Sequence, residues 1–354
     1  MNIKVALVSQ QAEHSALTKQ VIKCLRAIEE NYNHLFTINT YTPEYINGGV
    51  VLSEDIYNGC KNSDAILSTF PISKNGFYQT KEGNKINTLD IFECYSSVVP
   101  TLPFPNPVNK GKYADQKNVD LVVFSALKAG QYADLELAKK SGVDSFHSNT
   151  QSVHQLFHLA FKTAKNRNQK LHISIPEGPF KKFLWQKTVS EIAPSYPMVK
   201  THMCEISVLI DKIINVPDSL DCIFTDRAQG RIINSLNNNL FGLSHLLPTG
   251  HMGIGFNLFE PLEHQTDINN PNPIAVIYSL ALLLSRFGLQ EEAGAIQMAV
   301  NSAGERGMFT SSSKLASGVL TDQLGDFIAA AIIDSEDIGV VNDENIDLGK
   351  STII

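Results

Sequence analysis

Residues 259–300 read FEPLEHQTDINNPNPIAVIYSLALLLSRFGLQEEAGAIQMAV, a turn-rich half followed by a helical half. The first half sets Asp267 and Asn272 beside Pro271 and Pro273, residue types that fix turns through side-chain acceptors and a locked φ. The second half carries apolar residues at helical spacing and predicts two helices, over 273–285 and 290–306. Within the first, the run 275–284 reads as core. The longest apolar stretch of the chain, 274–285, is too short to span a bilayer.

Outward from this stretch, strands and helices alternate. Residues 4–8, 64–69, 119–124, 171–175 and 221–225 are short apolar runs of the kind that form buried strands. Helical patterns occupy 16–31, 152–166 and 230–239, and a last one 321–333. This order predicts an α/β protein with largely parallel central sheets. Residues 100–117 hold Pro100, Pro103, Pro105 and Pro107 and read as a crossover. The segment GHMGIGF, 250–256, reads as a flexible glycine-rich loop, because it follows no predicted strand and lacks a dinucleotide fingerprint. Residues 202–214 read as one helix with an apolar stripe of Ile206, Leu209, Ile210 and Ile213.

Composition removes several function classes. The 354 residues are 43% hydrophobic and 18% charged, enough apolar content for a sizeable core. A formal net charge of −7 argues against a protein that coats nucleic acid or an anionic membrane. The five cysteines are scattered without a CxxC pair, which fits a reduced, cytoplasmic setting. His154 and His158 stand four apart on one helical pattern, but no third ligand accompanies them. His202, Cys204 and Glu205 form a second cluster without partner spacing. After Ile333 the chain is acidic.

Several colinear segments resemble the isocitrate/isopropylmalate dehydrogenase family of β-decarboxylating NAD(P) dehydrogenases. Phe259–Glu260–Pro261, then Thr266–Asp267–Ile268 and Pro271–Asn272–Pro273, resemble the family's FEPxHGSAPDIAG…ANP signature. The helix pair after it matches in pattern. Tyr132 in AGQYAD resembles the tyrosine of TGGxYxG, LWQKTV at 184–189 the helix after the catalytic-lysine strand, and DCIFTDRAQGRIINS at 221–235 the run that ends in GDILSD. The resemblance implies a two-lobed fold with an interlobe cleft. One lobe would be built from 1–98 plus 247–354, and a smaller dimerisation lobe from 99–246.

The residues that carry the family's chemistry are where the chain departs. The family clamps substrate carboxylates with arginines, whose planar fork matches a carboxylate. The corresponding positions here are Val99 and Ser125, and no arginine occurs anywhere from 27 to 166. Its metal is held by aspartates in GDILSD. Here the six residues are Gly230, Arg231, Ile232, Ile233, Asn234 and Ser235, and no Asp or Glu occurs between Arg227 and Phe259. The position supplied by a neighbouring subunit corresponds to Ser207. No lysine lies between Lys170 and Lys181, where the family keeps its acid–base lysine. Tyr132 alone remains as a catalytic candidate, with a packed structural tyrosine as the bland alternative.

For a cofactor, the resemblance points to Asp267, Ile268 and Asn272. In the family, a carboxylate at the Asp267 position accepts from the ribose hydroxyls and repels a 2′-phosphate, selecting NAD over NADP. Turn residues are the competing reading. No divalent metal is expected. Arg227, Arg231 and Lys128 bring positive charge to the region of the lost metal and form a candidate anion site for a small carboxylate. The expectation is therefore a protein with a degenerate active site: a non-catalytic anion-binding or regulatory pseudoenzyme. The alternative is an active NAD-dependent oxidoreductase on a different hydroxy acid. By family, and by the apolar stripe at 206–213 with Ile232, Ile233 and Leu236, it would form a homodimer or a heteromer with an active paralogue.

Overall fold

The computed structural model describes residues 1–10, 15–46, 48–80, 83–102, 104, 119–127, 129–132, 146–148, 150–243, 245–265, 267, 269–310 and 318–334. Ten strands form one sheet: β1 (Asn2–Val8), β2 (Leu35–Tyr41), β3 (Ala65–Ser68), β4 (Cys94–Thr101), β5 (Leu121–Ala126), β6 (Lys170–Ser174), β7 (Lys200–Cys204), β8 (Cys222–Asp226), β9 (Pro248–Gly253) and β10 (Asn257–Pro261). Their order is β7-β6-β8-β5-β4-β9-β10-β3-β1-β2. Both wings are parallel, β7 through β5 on one side and β10 through β2 on the other. The three central pairings, β5 with β4, β4 with β9 and β9 with β10, are antiparallel. The parallel wings follow from the helical crossovers seen in the sequence pattern, since parallel neighbours cannot be joined by a hairpin.

The longer helices are α1 (Ala16–Tyr32), α2 (Thr150–Asn166), α3 (Pro179–Ile192), α4 (Ile206–Asn215), α5 (Arg227–Leu240), α6 (Ile274–Arg286), α7 (Gln290–Glu305) and α8 (Thr321–Ile333). α6 is buried at every position from Ile274 to Ser285, as an all-apolar helix must be. It covers one face of the sheet centre. A Cβ on Gly250 would stand 3.1 Å from Leu282, so α6 packs tightly on β9 where it crosses. At the other wing, Phe157 of α2 stacks on Phe224 of β8 at 3.8 Å, and Trp185 of α3 meets both rings edge-on.

Beneath that aromatic cluster lies a closed charge cluster. Arg167 donates through Nε to Asp221 at 2.8 Å and through Nη2 to Asp120 at 2.7 Å, and Asp221 also accepts from the backbone of Asn168. Burial works against the Arg167 charge, but the two carboxylates outweigh it and hold its pKa above the ordinary arginine value.

Three sequence expectations change. GHMGIGF is not a loop throughout, because Gly250–Gly253 complete β9; its glycines serve close packing, a Cβ on Gly253 falling 2.4 Å from the Phe92 carbonyl. Residues 202–214 are two elements: His202–Cys204 end β7, and α4 begins at Ile206. In α4, Leu209 and Ile213 are fully buried in the chain's own core, while Val208 and, on α5, Ile232 face outward. The crossover lies largely outside the described residues, and its first residues, Pro100 and Thr101, belong to β4.

Candidate functional site

The antiparallel centre lines up a polar row on one sheet face. Thr225 of β8 pairs with Ser125 of β5, Ser125 with Ser97 of β4, and Ser97 with His251 of β9. Thr249, two residues before His251 and so on the same face, pairs with Glu260 of β10. The side chains bond along the row. Ser125 and Thr225 hydroxyls are 3.3 Å apart, Ser97 Oγ is 2.7 Å from His251 Nδ1, and His251 Nε2 is 3.0 Å from Glu260 Oε1. Glu260 is fully buried and accepts as well from the Ser73 backbone N–H.

Helix α5 lies on this face. Asp226 caps it, its carboxylate accepting from the Gln229 backbone at 2.9 Å. Gly230 lets it settle on the sheet, since a Cβ there would fall 2.0 Å from Ser125 Oγ. Arg227, Arg231 and Asn234, at spacings of four and three, share one helix face. They line a cavity of about 120 Å³ together with Ser97, Ser125, Thr249, His251 and Lys74. Among the described residues, neither arginine nor Lys74 has a carboxylate within ion-pair distance. Burial, then the neighbouring Arg231 charge, push the Arg227 pKa down against a weaker pull from Asp90. Two buried acceptors on the wall, Thr249 Oγ1 and Asn234 Oδ1, have no partner.

This donor set fits an anion. It does not fit Mg²⁺ or Mn²⁺, which need hard carboxylate oxygens. Among the described residues no acid lines the cavity; of the acids near it, Asp226 is committed to the α5 cap, Glu260 to His251, and Asp90 accepts from the Asn87 side chain. Val99 and Ser125 line the same cavity as Arg231.

A second cavity, about 160 Å³, opens beside the N-terminus of α1 and is lined by Ser15, Leu17, Phe70, His264, Gln265 and Pro271. Burial, and then Lys74, depress the His264 pKa against the attraction of Glu260, so the ring is neutral near pH 7. Asp267 Oδ1 accepts from the backbones of Asn269 and Asn270, which makes it a turn residue. Asn272 is buried, and its Oδ1 accepts from the Ile274 backbone at the start of α6.

The structure thus brings Arg227 and Arg231 to one cavity and leaves Asp267 and Asn272 in a turn beside another. Tyr132 closes the strand Ala129–Tyr132, paired with Phe146–Ser148, and its side chain is not described. Lys128 and Ile268 lie outside the described residues. His154 bonds Glu191, and His158 bonds Tyr196. His202 stacks on His172 at 5.1 Å. Sequence reasoning missed Lys74, Ser97, Thr249 and His251. Cross-strand register joins Ser97, Thr249 and His251, Lys74 comes from the short helix Ile72–Asn75, and no spacing in the chain announces either.

Comparison with known proteins agrees with this layout. The family model for isocitrate/isopropylmalate dehydrogenase matches residues 4–328. The 3-isopropylmalate dehydrogenase of Campylobacter jejuni is 26% identical over 92% of this chain and 96% of its own length. That of Thermotoga maritima is 33% identical over 59% of this chain and 62% of its own. Among solved structures, isocitrate dehydrogenase from Methylococcus capsulatus superposes with a TM-score of 0.70 at 17% identity, covering 94% of this chain and 99% of that one. A β-decarboxylating dehydrogenase from Thermococcus kodakarensis gives 0.71 at 18%, covering 97% and 100%. With the match running almost end to end and the fold shared, the chain belongs to the isocitrate/isopropylmalate dehydrogenase family.

Proposed function

We propose that this member binds a small di- or tricarboxylate in the α5 cleft without a divalent ion, and that it does not run the family's metal-dependent oxidative decarboxylation. One observation carries the reading: Arg227, Arg231 and Lys74 line a single cavity that no carboxylate among the described residues lines. A guanidinium fork supplies paired charge-assisted bonds to a carboxylate, and the Thr249 hydroxyl can donate a further one. The test is a thermal-shift screen of malonate, succinate and citrate in the presence of a chelator. Stabilisation by at least one, lost in Arg231→Gln, supports the reading. Stabilisation that requires Mg²⁺ or Mn²⁺, or metal-dependent NADH formation from isocitrate or 3-isopropylmalate, overturns it.

A second reading, an NAD-dependent oxidoreductase acting on another hydroxy acid, draws on the cavity lined by His264, Gln265 and Pro271. A nicotinamide nucleotide bound there would supply hydride transfer. His264 and Gln265 would hold its base, and Asp267, within the adjoining turn, would disfavour a 2′-phosphate. NAD should then stabilise the fold more than NADP, and Asp267→Ala should erase the difference. Tighter binding of NADP to the unmodified protein would rule this out. For assembly, the outward Val208 and Ile232, 43% and 53% exposed, favour a dimer through α4 and α5. Light scattering that gives a monomer, alone and with an active paralogue, would exclude it.

A further inference from the structure

The row Ser97–His251–Glu260 contains more than a binding site requires. We infer that Ser97 is an activated nucleophile, and that the cleft transfers an acyl group from a small ester or thioester to water through it. Three observations carry this. A hydroxyl, an imidazole and a carboxylate are in series at 2.7 Å and 3.0 Å. Glu260 is fully buried and already accepts from the Ser73 N–H; when it accepts from His251 Nε2 as well, Nδ1 is left to present its lone pair to the Ser97 hydroxyl. Ser97 and His251 both open onto the cavity that Lys74, Arg227 and Arg231 line.

The chemistry balances without a cofactor. Ser97 Oγ bonds to the acyl carbon as its proton passes to His251 Nδ1. The bond from the acyl carbon to the leaving oxygen or sulfur breaks, and the leaving group takes that proton from Nδ1. Water then attacks the acyl-Ser97 ester, gives a proton to His251, and the proton returns to Ser97 Oγ as the acid departs. The Thr249 hydroxyl, buried on the wall and without a partner, can donate to the transient oxyanion. Glu260 is a positioning residue that acts through His251. The preference for an acyl group bearing a carboxylate rests on the anion-binding reading above; the relay itself does not.

Two probes separate the two. p-Nitrophenyl acetate reports the relay alone, and the p-nitrophenyl hemiester of succinate reports relay and cleft together. Both should be hydrolysed with a burst, the hemiester about tenfold faster, and peptide mass spectrometry of the quenched burst should place the acyl group on Ser97. Ser97→Ala should abolish the burst, His251→Gln should slow hydrolysis by about 10²–10⁴-fold, and Glu260→Gln should lower kcat with KM unchanged. Ser97→Cys should keep acylation with a shifted pH profile. If Ser97→Ala fails to fold, the site of the adduct on the unmodified protein decides alone. No adduct, an adduct elsewhere, or hydrolysis that survives Ser97→Ala overturns the inference. Equal rates on the two esters with acylated Ser97 would uphold the relay and count against the anion site.

Discussion

Two arginine clusters in this chain use the same side chain for opposite ends. Arg167 is buried between Asp120 and Asp221, its donors matched by carboxylate oxygens and its charge closed off from solvent. Arg227 and Arg231 stand beside each other on α5, facing a cavity, with no ion-pair partner among the described residues. The first arrangement is complete within the chain. The second becomes complete only when something negative arrives. One wing matches a guanidinium with two acids, whereas the centre holds two guanidiniums without a carboxylate partner among the described residues, the contrast that motivates an anion in the cleft.

The contrast can be broken from either end. Arg167→Ala should cost about 3–5 kcal/mol of stability, because it strands two carboxylates in the interior; urea denaturation reads it, and a loss under 1 kcal/mol would mean the cluster is not closed. Arg231→Gln should lose about 1.5–3 kcal/mol of anion affinity, the worth of charged hydrogen bonds, while stability moves by about 0.5 kcal/mol or less. A large stability loss there would make Arg231 structural. Titration offers a subtler test. His172, buried and beside His202, has its pKa pushed down to about 4 from 6.5, by burial first and the neighbouring charges second. The unfolded chain therefore takes up the proton first as pH falls, so stability should decline from pH 6.5 toward 4 and stay level above 6.5. His172→Gln should flatten that slope by about 1–2 kcal/mol. The smallest effect is that of salt: raising ionic strength to about 0.5 M should weaken anion binding severalfold and leave the Arg167 cluster untouched.

Most of the fold was legible in the chain. Continuous apolar runs marked β1, β3, β5, β6 and β8 but not the parallel edge strands β2 and β7, whose alternation is half-exposed, and the 3.6-residue patterns marked α1, α6, α7 and α8 to within a residue or two of their ends. What failed to show was the antiparallel centre. β9 holds glycine at 250, close under Leu282, and at 253, where the Phe92 carbonyl leaves no room for a Cβ, and glycine composition mimics a loop. The site divides in the same way. Arg227 and Arg231 were visible because they sit four apart on one helix, inside a run that resembles a family motif. Ser97 and His251 were not, because they are 154 residues apart and meet only through strand register. Asp267 matched a motif, yet its carboxylate serves the turn that the two flanking prolines also announced.

The central claim is that the cleft takes an anion without a metal. Isothermal titration calorimetry of citrate into the chelator-treated protein, repeated with millimolar Mn²⁺, tests it most directly. The account predicts binding in the chelated sample, the same affinity with Mn²⁺ once citrate's own chelation of the ion is subtracted, and loss of binding in Arg231→Gln. Binding that appears only with Mn²⁺, or that is unchanged in Arg231→Gln, would contradict it.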